Sequence, residues 1–152
     1  MRNSDALTLG VNVAIEVRDA QTGELLERFE EHNLVTLAAR NLIRDFLNNG
    51  TGITGISHLA VGTGTAEPNA NDTVLGTERH RAAITKKTAD SGKLTIQHYL
   101  GTSEANGYDL TEAGLLNAAA AGTLFARVKH TAISKTASLT VTYSWVININ
   151  AG

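Results

Sequence analysis

Alternation of apolar and polar residues with a period of two predicts β-strands near both ends of this chain. The first alternating run extends from Val11 to Val17, and a turn around Gly23 leads to a second strand over residues 25–30. The clearest run lies near the other end, where every second residue is apolar: Leu139, Val141, Tyr143, Trp145, Ile147 and Ile149. A strand with so heavy an apolar face is predicted to lie in the middle of a sheet.

The periodicity changes in residues 36–48, where apolar residues recur at the spacing of an α-helix. Its charged and amide side chains fall largely opposite its apolar ones. Thr36 is a favourable N-cap, and Gly50 fits the C-terminal end. The pattern predicts one amphipathic helix whose apolar stripe packs on a sheet: Ala39, Leu42, Ile43, Phe46 and Leu47.

Further short apolar segments with turn signals between them follow the helix. We predict strands at 56–61, within 79–85, at 94–99 and at 123–128. Many strands with a single helix indicate a mainly β fold, an antiparallel β-sandwich (jelly-roll-like) with one helix near residues 36–48. Residues 11–152 are predicted to form a single domain. Residues 1–10 are predicted to be an extension or arm that could add a strand to a neighbour.

Composition narrows the classes of function. The chain has 152 residues, of which 18% are charged, and its net charge is −2 with no basic run. Non-specific nucleic-acid binding is therefore not expected, because it needs clustered Lys and Arg. The absence of cysteine excludes disulfides and thiolate metal sites. The sequence contains no run of about 20 apolar residues and no apolar leader, so neither membrane insertion nor export is expected.

The segment Gly62-Thr63-Gly64 follows an apolar strand, as a phosphate-binding loop does. A phosphate loop, however, needs a helix directly after it. Here Glu67 and Pro68 begin an Asn-rich loop, and no Gly-Lys-Ser/Thr follows. We interpret Gly62, Thr63 and Gly64 as a strand exit whose glycines shape a surface that contacts a neighbouring subunit.

Two carboxylates, Glu104 and Glu112, bracket a Gly- and Asn-rich loop. A pair of carboxylates can perform acid–base hydrolysis. The favoured interpretation is structural, because Glu112 directly precedes an apolar run and could pair with Arg127 or bind loop N–H groups. Glu104, Glu112 and Arg127 are therefore predicted to be structural polar anchors. No serine lies in the context of a catalytic nucleophile.

Metal and cofactor sites are not predicted. None of the five histidines stands at metal-ligand spacing from another histidine or a carboxylate. His58 and His98 lie on apolar strands and are expected to be hydrogen-bonded within a sheet. Oxygen ligands at Asn69, Asn71 and Asp72 could bind Ca²⁺, but the dense Asp pattern of a calcium loop is lacking.

The most basic local patch is Arg79-His80-Arg81, followed by Lys86-Lys87. One interpretation is a solvated beginning of a strand. The other is a flat contact with an acidic partner surface. Arg79, His80 and Arg81 are the candidate interface residues of this second interpretation.

An ordered set of segments resembles a family of small bacteriophage virion structural proteins, of the tail-fibre-like or capsid decoration type. In the run 111–118, Leu116 stands where Phe is usual in that family. No single segment is specific, whereas the ordered set is, and it covers about residues 11–149. The segments are 16–24, 33–36, 40–42, 60–68, 72–76, 101–107, 111–118, 122–127, 133–136 and 141–143.

The resemblance implies assembly rather than catalysis. It implies a non-enzymatic virion protein, assembled in the host cytoplasm, that binds other virion proteins and forms a trimer or dimer. The chain has no repetitive shaft, which favours a capsid decoration (cement) protein bound to the major capsid protein on the outer head. A tail fibre or baseplate protein is the alternative.

A carbohydrate-binding module is a second alternative. Such a module would need exposed aromatic side chains, and the sequence offers Tyr99, Tyr108 and Trp145 for this. Trp145 alternates with core residues and is expected to be buried, which disfavours this interpretation.

Overall fold

The computed structural model describes residues 6–151, which form two five-stranded antiparallel sheets and one helix. The predicted antiparallel β-sandwich with one helix is thus confirmed. The elements are β1 Leu7–Asp19, β2 Leu25–His32, β3 Leu34–Val35, α1 Leu37–Asn48, β4 His58–Gly62, β5 Glu78–Ala83, β6 Lys86–Asp90, β7 Lys93–Leu100, β8 Asp109–Leu116, β9 Leu124–Ser134 and β10 Leu139–Ala151.

The first sheet has the strand order β2-β1-β10-β7-β6, and the second has the order β3-β9-β8-β4-β5. β10 lies in the middle of the first sheet, as its apolar face predicts, and pairs with both β1 and β7. Its inward side chains Tyr143 and Trp145 are completely buried. They join one hydrophobic core to which both sheets contribute, including Ile15, Ile96, Leu59, Leu115 and Val128.

A second, smaller apolar cluster lies on the outer face of the second sheet. Ala60, Leu116 and Leu124 alternate with residues that face the main core, and Leu75 of the β4–β5 connection packs against them. A Cβ atom on Gly114 would lie 2.8 Å from both the Leu75 and Leu124 side chains. Gly114 therefore lets this connection lie directly on the sheet.

Helix α1 begins as predicted. The buried Thr36 hydroxyl accepts a hydrogen bond from the Ala39 N–H at 3.0 Å and donates to the Leu124 carbonyl. The prediction that the whole apolar stripe packs on a sheet is wrong. Ala39 is buried, whereas Phe46 and Leu47 are 61% and 76% exposed. The helix is anchored through its first turn, so its second half lies away from the core.

Residues 7–10, predicted to belong to an arm, are the first residues of β1 and pair with residues 148–151 of β10. The boundary predicted at residue 10 is corrected for these residues, because the pairing of β1 with β10 already begins at Leu7, before the alternation of buried residues that begins at Val11. Residues 1–5 of the predicted arm lie outside the described residues. Three observed strands, the two-residue β3 and the longer β6 and β8, were not predicted.

Candidate functional site

The most elaborate polar arrangement in the described chain centres on the carboxylate of Glu112. The side chain is completely buried on the outer face of the second sheet, under the connection between β4 and β5. One oxygen, Oε1, accepts hydrogen bonds from the N–H groups of Gly64 at 2.8 Å and Thr77 at 2.7 Å. The other, Oε2, accepts from the Gly76 N–H at 2.9 Å. The carboxylate thus joins the two ends of the connection.

Arg127 supplies the opposite charge from β9. Its Nε and Nη2 atoms each lie 2.9 Å from Oε2 of Glu112. The rest of the guanidinium reaches the loop, where Nη1 donates to Asp72 and Nη2 donates to the Ala66 carbonyl, both at 2.9 Å. The side chain is only 3% exposed. Predicted anchors Glu112 and Arg127 are therefore in contact, and together they hold the connection against the sheet.

Three glycines make room for this carboxylate. A Cβ atom on Gly62 would lie 2.2 Å from the Thr77 carbonyl oxygen, and one on Gly64 would lie 2.5 Å from Oε1 of Glu112. The Gly76 and Gly64 backbones are packed against each other, with 3.1 Å between the Cα of Gly64 and a Cβ placed on Gly76. The Gly62-Thr63-Gly64 loop does surround an anion, and that anion is the chain's own glutamate.

This geometry corrects the interpretation of Gly62, Thr63 and Gly64 as interface residues. Gly62 and Gly64 are buried and Thr63 is half-buried. The Thr63 N–H donates to the Thr77 carbonyl at 2.9 Å, and its hydroxyl accepts from Arg79 at 3.2 Å. Their small size serves an internal contact, which the sequence did not distinguish from a contact with a second subunit.

Hydrogen bonds keep Glu112 ionised. Burial by itself raises the pKa of a carboxyl group. The N–H groups of Thr77 and Gly76, the Arg127 guanidinium and the N–H of Gly64 outweigh burial and hold the pKa of Glu112 below its usual range. A carboxylate fixed in this charged form is a tether for loops, and its acceptor positions are occupied by the protein itself.

The third predicted anchor, Glu104, lies in the β7–β8 connection. Its Oε2 accepts from the Gly101 N–H at 2.8 Å, and its Oε1 lies 3.6 Å from Nε2 of His80. Glu104 and Glu112 share no hydrogen-bond partner among the described residues. Glu112 also has no solvent exposure, and protein groups occupy both of its oxygens, so this carboxylate is not open to a substrate as the alternative acid–base pair would require.

A fourth anchor, Lys135, was not predicted. The residue is 1% exposed, and its ammonium group donates to the Gly101 carbonyl, the Asn106 side chain and the Thr136 carbonyl at 2.8–3.0 Å. Burial lowers the pKa of Lys135, and the nearby Glu104 opposes this effect. A single lysine between polar residues carries no sequence signal that separates it from a surface lysine.

The basic candidate residues have different surroundings. Arg79 is exposed and lies over the Tyr108 ring, with its guanidinium carbon 5.1 Å from the ring centroid. His80 is half-buried beside Glu104. Arg81 binds Glu78 and donates to the Ala118 and Ala121 carbonyls at 3.0 and 2.9 Å. Arg81 thus holds the β8–β9 turn, and only Arg79 of the three is openly available to a partner.

Two histidines lie in the core between the sheets. His130 on β9 lies 3.1 Å from the Tyr143 hydroxyl on β10, which links the sheets. The expectation that His98 is hydrogen-bonded is wrong, because neither of its ring nitrogens has a partner in the described part of the chain. Burial lowers the pKa of His98, and the charge of Glu104 and the nearby Ala83 backbone oppose this effect. Burial also lowers the pKa of His130.

No protein-family model, curated protein or solved structure matches this chain. Within residues 6–151, no three His, Asp or Glu side chains are grouped so that they could hold a metal ion. In the same part of the chain no helix is long and apolar enough to cross a membrane. The geometry around Glu112 is that of a buried ion pair that holds the long β4–β5 connection against the second sheet.

Proposed function

We propose that this chain is a structural protein of a bacteriophage virion, and that it decorates the outer surface of the head. The proposal joins the ordered resemblance to small virion proteins with the way the chain uses its polar residues. Its partners would then be the major capsid protein and further copies of itself.

The observation that carries the proposal is the anchoring of Glu112 and Arg127. Both lie within the segments that resemble the virion proteins, as do the glycines that surround the carboxylate. These residues bind loop backbone rather than converge on a cleft. Rigid loops on a sandwich are what a subunit needs when it must present the same surface at every position of a lattice.

Exposed apolar side chains give further support. Phe46 and Leu47 on α1, together with Leu7 and Ile149 where β1 and β10 pair, are more than half exposed. Leu7, Ile149 and Ile43 line one apolar groove of about 430 Å³. Surfaces of this kind are typical of contacts between proteins.

The carbohydrate-binding alternative is weakened by the positions of the aromatic residues. Trp145 is completely buried, and the Tyr108 ring lies under Arg79. Tyr99, which is 49% exposed, remains as an open aromatic surface. Sugar sites usually rely on several aromatic faces, so we rank this function below assembly.

Electron cryo-microscopy of the virion that encodes this chain tests the proposal. We expect many copies spread regularly over the head, and we expect their density to disappear from particles that lack the gene. Copies found only at the tail would contradict decoration and support the tail fibre or baseplate alternative. A virion that contains no copy would overturn both.

A further inference from the structure

The two edge strands of the first sheet carry opposite charges. β2 contains Glu27, Glu30 and Glu31 against the single Arg28. β6, at the other edge, contains Lys86 and Lys87 against Asp90, and all five of its residues are exposed. The opposite edges of one sheet thus present an acidic and a basic strand.

Both edges have unpaired backbone on their outer side. β2 pairs only with β1, and β6 pairs only with β7. In the part of the chain that the structure describes, no other backbone hydrogen bond involves β6, and the chain after β2 turns away to bond Val11 through the Asn33 N–H. A strand edge of this kind is a template for another strand.

We propose that copies of this chain associate head to tail, with β2 of one copy alongside β6 of the next. Each strand of the first sheet is antiparallel to its neighbour, so β2, β10 and β6 run in the same direction. Copies related by a rotation that keeps the strand direction would therefore join their sheets through a parallel pair. β6 limits the junction to about five residues.

Charge selects this junction over the two symmetric ones. Pairing β2 with β2 would place glutamates opposite glutamates, and pairing β6 with β6 would place lysines opposite lysines. Lys86 forms no ion pair within residues 6–151, and its ammonium group can therefore reach a carboxylate on the next copy. The ammonium of Lys87 is exposed and donates to the Ile56 carbonyl at 2.8 Å.

The junction also restricts the number of copies. A head-to-tail contact uses two different surfaces, so it closes only as a ring and otherwise grows into a filament. A symmetric dimer is incompatible with it, whereas a trimer or a larger ring is compatible. This inference does not depend on the virion proposal, because it concerns only contacts between copies of the chain.

Edge lysines have an opposite interpretation, in which they prevent strand pairing. Analytical ultracentrifugation of the purified chain over a range of concentrations distinguishes the two. The junction predicts association that increases with concentration and weakens in about 1 M salt, where the screening length falls to about 3 Å. A chain that stays monomeric at every concentration overturns the junction.

Two charge reversals test which surfaces make the contact. The variant K86E/K87E makes both edges acidic, and E27K/E30K makes both edges basic. Each alone should lower the association constant about tenfold or more, because like charges would then face each other. An equimolar mixture should recover association between unlike copies, in alternating chains or even-numbered rings, since each edge of one variant complements an edge of the other.

R44E on α1 is the matched control, because it reverses a cation that lies outside both edges. It should associate like the unaltered chain. Circular dichroism should show that all variants are folded, as is expected for exposed positions. Association that the edge reversals leave unchanged, or a mixture that fails to recover it, would overturn the proposed junction.

Discussion

Arg127 and Glu112 lie diagonally across the neighbouring strands β9 and β8, with the guanidinium 2.9 Å from a carboxylate that has no solvent exposure. Burying two charges costs several kcal/mol per ion unless further hydrogen bonds complete their coordination. Here three backbone N–H groups complete the carboxylate, while Asp72 and the Ala66 carbonyl complete the guanidinium. The pair therefore belongs to the connection above the sheet as much as to the sheet.

Removal of one partner should be costly. Glu112→Gln keeps the shape of the side chain but removes its charge and turns one acceptor into a donor that faces N–H groups. We expect the free energy of unfolding to fall by about 3–5 kcal/mol, as measured by urea denaturation. Glu112→Gln combined with Arg127→Met should cost less than the sum of the single changes, because the second change removes the charge that was left unpaired.

The exposed pair of Arg44 and Asp45 provides the comparison, with 2.6 Å between its charged atoms. Asp45→Asn should change the free energy of unfolding by no more than about 0.5 kcal/mol, because water screens the pair. Equal effects of Glu112→Gln and Asp45→Asn would contradict the structural role of the buried pair.

Gly64→Ala should disturb the same anchor from the other side. The added methyl group would lie 2.5 Å from Oε1 of Glu112, so the carboxylate or the loop has to move. We expect a loss of about 1–3 kcal/mol in thermal or urea unfolding. Gly55→Ala is the matched control, because a Cβ atom there meets nothing within 4 Å. A Gly64→Ala protein as stable as the unaltered chain would mean that the connection is not held tightly against Glu112.

Acid should weaken the fold through its buried histidines. Burial lowers the pKa of His98 in the folded chain below the value near 6.5 of the unfolded chain. As the pH falls below about 6.5, the unfolded chain binds the proton first, so stability present at pH 7.5 is lost. His98→Leu should reduce this loss by up to about 1.4 kcal/mol per pH unit in urea titrations between about pH 7.5 and 5.5.

The same experiment has a control on the same strand. Ile96→Val, on the inward face of β7, should lower stability by a similar amount at both pH values. A His98→Leu protein that keeps the full pH dependence would contradict the assignment of this loss to His98. Part of the dependence should persist in any case, because burial also lowers the pKa of His130.

The two halves of α1 should respond differently to substitution. Phe46→Ser and Leu47→Lys affect exposed side chains and should change the free energy of unfolding by no more than about 0.5 kcal/mol. Thr36→Ala removes the buried cap and should cost about 1–2 kcal/mol. A large loss of unfolding free energy in the Phe46→Ser monomer would contradict the exposed position of the end of the helix.

Patterns that repeat along the chain were predictable from the sequence. The alternation that ends at Ile149 gave the central position of β10, and Thr36 marked the beginning of α1. β6, Lys86–Asp90, was not predicted because both faces of this edge strand are exposed, so its sequence shows no alternation of apolar and polar residues. β8 was not predicted for a different reason: the β4–β5 connection covers its outer face, so both faces are buried and its residues do not alternate between apolar and polar.

Contacts between distant residues were predictable only in part. Glu112 was identifiable as an anchor because a carboxylate beside an apolar run needs partners, and Arg127 was the available cation. Which loop they hold depends on how the β4–β5 connection folds over the sheet, and no local pattern encodes that path. For Lys135 even the burial was not predictable, since its three acceptors come from two separate segments.

Glu112 and Lys135 hold their loops largely through hydrogen bonds to main-chain groups, so most side chains of those loops take no part in the anchoring. Apart from Asp72 and Asn106, the loop groups held by Glu112, its partner Arg127 and Lys135 are peptide groups, so side-chain identity is restricted mainly where glycine is needed, as at Gly64 and Gly76. Outward side chains such as Thr65, Asn71 and Val74 can then be substituted without destabilising the fold. The same framework could display many different epitopes, which would make it a carrier for grafted peptides as well as a subunit.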